Sequence, residues 1–140
     1  MKAFDLIEMA TLADIAPTKA KNWVNGRPFT IKASIREAAG RGSSNLYSIE
    51  DVYVMALASE FSKAGFAAAA IGKLLEAVQA KFASLAECSS LTVWRPAAGG
   101  AFRLEEGRDR PSNAILWMTV YVRELVQDVD KRAERLARGR

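Results

Sequence analysis

The sequence predicts a mainly α-helical protein with small β elements. Three observations carry that expectation. Apolar residues recur at helical spacing through most of the chain. Short β-prone runs occur only beside Gly-rich turns. The last fifth, from about residue 112, carries an apolar residue at every third or fourth position, with charges of both signs between.

The first element is Phe4 to Trp23. Leu6, Ile7, Met9, Ala10 and Ala13 can share one helical face. Asp14 and Ala16-Pro17 interrupt the pattern, and Pro17 suits the first turn of a second helix, where a missing N–H costs nothing. That helix is expected over about 18–25, ending at Gly26, with Ile15, Ala20 and Trp23 inward. Thr18, Lys19, Lys21 and Asn22 then face solvent. Such a surface suits phosphates and base edges in a major groove; an ordinary helical pair with a solvated face is the alternative.

Phe29-Thr30-Ile31 and Leu46-Tyr47 are β-prone and bracket the loop Gly40-Arg41-Gly42-Ser43-Ser44-Asn45, an arrangement that reads as a wing. Lys32–Ala39 is ambiguous. Ser48, with Asp51 three residues on, resembles a capping box, so a helix is expected from Ile49 to about Ala64-Gly65. A further helix is expected from Ala67 to about Phe82, through Ile71, Leu74, Leu75 and Val78. Leu91–Arg95 and Ala101–Glu105 alternate across Pro96–Gly100 and predict a hairpin. Ser112 is expected to cap a long helix over Asn113–Ala137, roughly 36 Å at 1.5 Å per residue. Its stripe of Ile115, Val122, Leu125, Val129 and Leu136 wants a partner, with a core helix packed on its own chain as the alternative. The chain therefore divides into a unit over 1–83, a connector with the hairpin over 84–111, and a dimerisation helix over 112–140.

Composition narrows the function. The chain has 140 residues, half of them hydrophobic, enough for a core without staples. The formal net charge is +4, a mild pointer to an anionic partner. Between Thr18 and Tyr47, Lys19, Lys21, Arg27, Lys32, Arg36 and Arg41 face one acid, Glu37. Cys88 is the only cysteine and there is no histidine, which excludes an intramolecular disulfide and the usual zinc sites. No cofactor or metal is expected, and a reducing, cytoplasmic setting fits. A lone Cys88 lacks a resolving partner for a redox switch. No phosphate loop or nucleophile motif is found, so no enzyme is expected. Glu105, Glu106 and Asp109 read as a charged turn. Lys131, Arg132, Arg135, Arg138 and Arg140 read as a solvated helix face. Trp94, Phe102 and Trp117 are candidates for an effector pocket, with plain core as the alternative.

In order, the motifs are Phe4-x-Leu6-x-Glu8-Met9-Ala10, Ile15-Ala16-Pro17, Lys21-x-Trp23, Gly40-Arg41-Gly42, Leu46-Tyr47-Ser48-x-x-Asp51-Val52, Ala64-Gly65-Phe66 and Ile71-x-x-Leu74-Leu75. Over about residues 4–80 this series resembles the MerR family of winged-helix transcription regulators. The chain departs from the family in having Asp14 where Gly is usual and Thr18 where Arg is usual. The stretch after Gly26 is also longer than in most members, and Ser44-Asn45-Leu46 replaces an Arg before the wing tyrosine.

The resemblance implies an N-terminal winged helix-turn-helix and an antiparallel dimerisation helix at the C-terminus. It implies a homodimer on a pseudo-palindromic operator in double-stranded DNA, with RNA polymerase as a further partner where a promoter spacer is distorted. In the second helix Thr18, Lys19, Lys21 and Asn22 are the candidate base-edge contacts. In the wing Arg41, Ser43, Ser44 and Tyr47 are the candidate phosphate contacts, with Arg27 and Arg36 secondary. Two other readings stand beside this one: a phage-type excisionase or architectural DNA-binding protein, and a helical protein–protein interaction module. No effector ligand is legible.

Overall fold

A computed structural model describes residues 2–26 and 45–139. Among them are five α-helices and three strands: α1 (Leu6–Leu12), α2 (Pro17–Val24), α3 (Ile49–Lys63), α4 (Ala68–Lys81), β1 (Leu91–Pro96), β2 (Arg103–Glu106), β3 (Ala114–Val120) and α5 (Val122–Arg138). A single 3-10 turn over Leu85–Glu87 links α4 to the sheet. Helices dominate, as expected, but the β content exceeds a hairpin.

Caps fix the helix ends. Asp5 and Glu8 cap α1 reciprocally: Asp5 Oδ1 accepts from the Glu8 amide at 2.8 Å, and Glu8 Oε1 accepts from the Asp5 amide at 3.0 Å. At the other end the Ile15 amide reaches the Ala10 carbonyl at 3.0 Å and the Asp14 amide the Thr11 carbonyl at 3.3 Å. This closing turn needs a left-handed residue, and Asp14 supplies it at φ 55. Aspartate tolerates that region better than most side chains. α3 ends the same way with Gly65 at φ 95. There the Phe66 amide bonds the Phe61 carbonyl at 3.1 Å, and the two rings meet edge-on at 5.6 Å.

The capping box at Ser48 is present. Ser48 Oγ accepts from the Asp51 amide at 3.2 Å, and Asp51 Oδ2 accepts from the Ser48 amide at 2.9 Å. Ser48→Ala is expected to cost about 1 kcal/mol, read as a lowered midpoint in a thermal melt. Just before it, Tyr47 forms an antiparallel bridge with Phe4, with both backbone bonds at 2.8 Å. The wing residues up to Ser44 lie outside the described residues.

The sheet order is β2-β1-β3, all antiparallel. The expected hairpin is β1 with β2, pairing Leu91 with Glu106 through Trp94 with Arg103. The long helix over 113–137 is not observed. Ala114–Val120 is instead β3, paired with β1 from Leu91–Val120 to Pro96–Ala114, with a register shift between Arg95 and Pro96. The helix begins only at Val122. The reason is local: AILWMTV has no charge and is rich in aromatic and β-branched residues, so it fits a pleated surface beside β1. The helical spacing holds only from Val122 onward.

One core joins all three parts of the expected domain division. Phe4, Met9 and Trp23 share it with Met55, Leu57, Phe61, Leu74, Leu91, Val93, Leu104, Val122 and Val129. α5 is therefore no separate dimerisation helix. Its residues Val122, Val126 and Val129 are buried, and Leu125, Ala133 and Leu136 pack partly on the same core. Polar ties lock α5 in place. Tyr53 Oη on α3 donates to Asp130 Oδ1 at 2.6 Å, and Arg132 donates to the Leu12 carbonyl at 3.0 Å. α4 is held to the sheet by Lys81 Nζ, which donates to the Leu104 carbonyl at 2.7 Å.

Candidate nucleic-acid interface

α2 is short and sorts its residues by face. Ala20 and Trp23 are buried, with Ile15 just before the helix half-buried, while Thr18, Lys19, Lys21 and Asn22 are exposed. This is the division the spacing predicts. The four exposed residues lie on the first two turns, and Pro17 stands at the first helical position with no side-chain cap before it. The amides of that first turn thus remain available as donors to an anion.

The four are not equivalent. Lys19 Nζ donates to Ser62 Oγ on α3 and sits 5.2 Å from the centroid of the Trp23 ring. That side chain is drawn back across α2 onto its own fold. Thr18, Lys21 and Asn22 make no such contact with α3 and carry the outward chemistry: a hydroxyl, an ammonium and an amide able to pair bidentately with adenine. Beside them Lys63 Nζ contacts Asp14 Oδ2 at 3.0 Å and Glu60 Oε1 at 3.8 Å. Lys63 holds the exposed Asp14 carboxyl below the usual carboxylate range, mainly through that hydrogen bond. The stability this pair contributes is present at neutral pH and is lost as the pH falls through the carboxylate range.

The wing candidates fare differently. Arg27, Arg36, Arg41, Ser43 and Ser44 lie outside the described residues. Tyr47 corrects the expectation. It is fully buried, its hydroxyl receives a hydrogen bond from Asn45 Nδ2 at 3.1 Å, and burial raises its pKa. It is a core residue that anchors the chain to Phe4, not a phosphate contact. The β-prone spacing of Leu46-Tyr47 could not show which face the ring takes.

The dimerisation stripe is also dispersed. Val122 and Val129 are wholly buried inside their own chain, and Ile115 lies on β3, 65% exposed. Leu125 and Leu136 remain half-buried on α5. The supposed aromatic pocket does not assemble. Phe102 packs on Phe66 at 4.8 Å between ring centroids, on the helix side of the sheet. Trp94 and Trp117 are register partners on the other face, with the Arg103 guanidinium 5.3 Å from the Trp94 ring. The Trp94 indole N–H is buried without a hydrogen-bond partner among the described residues. Cys88 is buried, donates from Sγ to the Ser90 carbonyl at 3.4 Å, and has its pKa raised by burial, so the thiol stays protonated and shielded.

A further concavity lies elsewhere. A groove of about 510 Å³ runs between the Met118–Tyr121 end of β3 and the helices, lined by Ala56, Glu60, Lys63, Leu125 and Asp128 among others. Leu125 and Val129 of the expected stripe line it, and β3, expected as helix, forms its other wall. The uncharged run from Ala114 to Val120, ending where charges resume at Arg123, is the signal that marks it as a strand.

No helix among the described residues is long and apolar enough to cross a membrane. No family model matches the chain, and comparison with curated proteins finds no match.

Proposed function

We propose that the protein is a sequence-specific DNA-binding transcriptional regulator of MerR type, acting as a homodimer on a pseudo-palindromic operator. The observation that carries the reading is the face of α2. A helix packed on the core through Ala20 and Trp23 presents Thr18, Lys21 and Asn22 outward along its exposed face. That is where a recognition helix meets base edges. Support also comes from the motif series resembling the family, from the capping box after Tyr47, and from the net charge of +4. In this reading Lys21 and Asn22 read bases, while Thr18 and the α2 amides position the backbone. Lys19 supports α2 from behind. Arg27, Arg36, Arg41, Ser43 and Ser44 contribute phosphate contacts. RNA polymerase is a partner only if the regulator acts by distorting a promoter.

The test is a gel shift on randomised duplex DNA at rising salt. Affinity should fall steeply with salt, through counterion release. Lys21→Ala and Asn22→Ala should each weaken binding roughly 5- to 150-fold, corresponding to about 1–3 kcal/mol for a lost base contact. Lys19→Ala should weaken it less. Unchanged affinity in both Lys21→Ala and Asn22→Ala at low salt would remove α2 as the recognition element.

A further inference from the structure

Among the described residues β3 is an edge of the sheet, because β1 lies between it and β2. Edge strands are usually guarded by charges, proline or a covering segment. The seven residues of β3, AILWMTV, contain neither charge nor proline. Ile115, Leu116 and Trp117 are exposed at 65%, 48% and 43%, and Tyr121, just past the strand, at 52%. Beside the C-terminal half of this edge runs the groove bounded by α3 and α5. The helix layer continues there while the strand layer stops.

We propose that β3 pairs antiparallel with β3 of a second copy, across a two-fold axis near Met118, and that the strand of each copy enters the groove of the other. The two three-stranded sheets become one continuous sheet. The proposal rests on the reading of the chain as a homodimer and replaces the helix stripe as its interface. In this register Ile115 of each copy faces Tyr121 of the other, so the two most exposed apolar residues at opposite ends of the strand cover one another twice. Leu116 faces Val120 in the same way. By its pairing with Arg95, Leu116 shares a face with Met118 and Val120, the face turned to the helices. The second copy's Leu116 therefore lies beside Val120, over the part of the groove lined by Leu125 and Val129.

Charge agrees with this direction. Antiparallel pairing carries the second copy's exposed Arg108 past Val120 towards the start of α5, where Glu124 and Asp128 are exposed, while Arg110 stays on the Ala114 carbonyl of its own chain at 3.1 Å. Arg123, the cation in that turn, donates to Ser89 Oγ at 2.8 Å and is turned away. Within the groove Lys63 is taken by Asp14, and Arg132 by the Leu12 carbonyl, which leaves Asp128 to meet an incoming arginine.

Sedimentation equilibrium on the full chain tests the proposal in three variants. The wild type should have twice the chain mass of 15.3 kDa at tens of micromolar. Ile115→Lys changes an exposed side chain, so circular dichroism should be unaltered while dimerisation weakens at least tenfold. Adding Tyr121→Glu to Ile115→Lys should restore most of the loss, since each lysine then faces a glutamate. In the third variant, Ile115→Cys with Tyr121→Cys, mild oxidation should give a covalent dimer on a non-reducing gel. The two cysteines are six residues apart along extended chain, about 20 Å, and cannot bridge within one copy. A monomeric wild type would overturn the proposal and leave the edge for another chain. So would a dimer indifferent to Ile115→Lys that forms no cross-link. Gel shifts on single half-sites keep the two readings apart. A dimer of this geometry that binds no DNA loses the function and keeps the interface, and a monomer that binds a half-site does the reverse.

Discussion

Val122→Glu should unfold the protein and not merely separate two copies. Read as part of an exposed stripe, Val122 would be a clean probe of dimerisation. The structure places it fully inside the core at the first residue of α5. A carboxylate there has no partner to compensate for the loss of water, and the valine's own burial is forfeited. The combined cost, roughly 3–5 kcal/mol by analogy with an unpaired buried charge, is a large part of the 5–15 kcal/mol that typically stabilises a domain. Circular dichroism at 25 °C and a urea melt measure it. A folded, monomeric Val122→Glu of near wild-type midpoint would show that α5 is not packed as described. Val129→Glu should behave alike, because Val129 is equally buried on the same face two turns further on.

Tyr53→Phe is the second large effect. The Tyr53 hydroxyl donates to Asp130 across the α3–α5 contact at 2.6 Å. The substitution keeps the ring and its packing but leaves the half-buried Asp130 carboxylate without that donor. A hydrogen bond to a charged group is worth about 1.5–3 kcal/mol, which a denaturant midpoint would show directly. The pairing also has a pH signature. Burial first, then the bond to Asp130, push the Tyr53 pKa far above its ordinary value of 10.0. A raised tyrosine pKa means that the neutral form is favoured in the folded state. Its stabilising contribution is therefore complete below pH 10.0 and declines as the pH rises above that value. Wild type should lose stability in that alkaline range faster than Tyr53→Phe, so the gap between them should narrow. A constant gap up to the alkaline limit would remove the hydroxyl from the account.

Local chemistry made much of the helical part legible in the sequence. The end of α3 at Ala64-Gly65, the Ser48–Asp51 cap and the start of α2 at Pro17 depend on contacts within a few residues, so short-range pattern reading reaches them. The exposed face of α2 follows from the same spacing. The capping box at Asp5 and Glu8 had as clear a signal, yet it lay inside a run read only for its apolar periodicity.

The end of the chain shows where such reading stops. Ile115, Val122 and Val129 fit a helical repeat on paper, but Ala114–Val120 also fits a strand, and spacing in one dimension does not choose between them. The choice is made by β1, whose backbone groups pair with those of Ala114–Val120 across two turns of chain. Hydrogen bonds of that kind are non-local, and no window of neighbouring residues contains both partners. The same holds for Tyr47, whose ring could point to either side of an extended segment until Phe4, more than forty positions earlier, bridged it. By itself the sequence determined the helices as far as α4, the starts at Pro17 and Ser48 and which side of α2 faces outward, because those depend on neighbours along the chain. Only the tertiary structure decided that the C-terminal stripe serves its own core and that β3 is an edge strand among the described residues, because both depend on which distant segment arrives to cover an apolar surface.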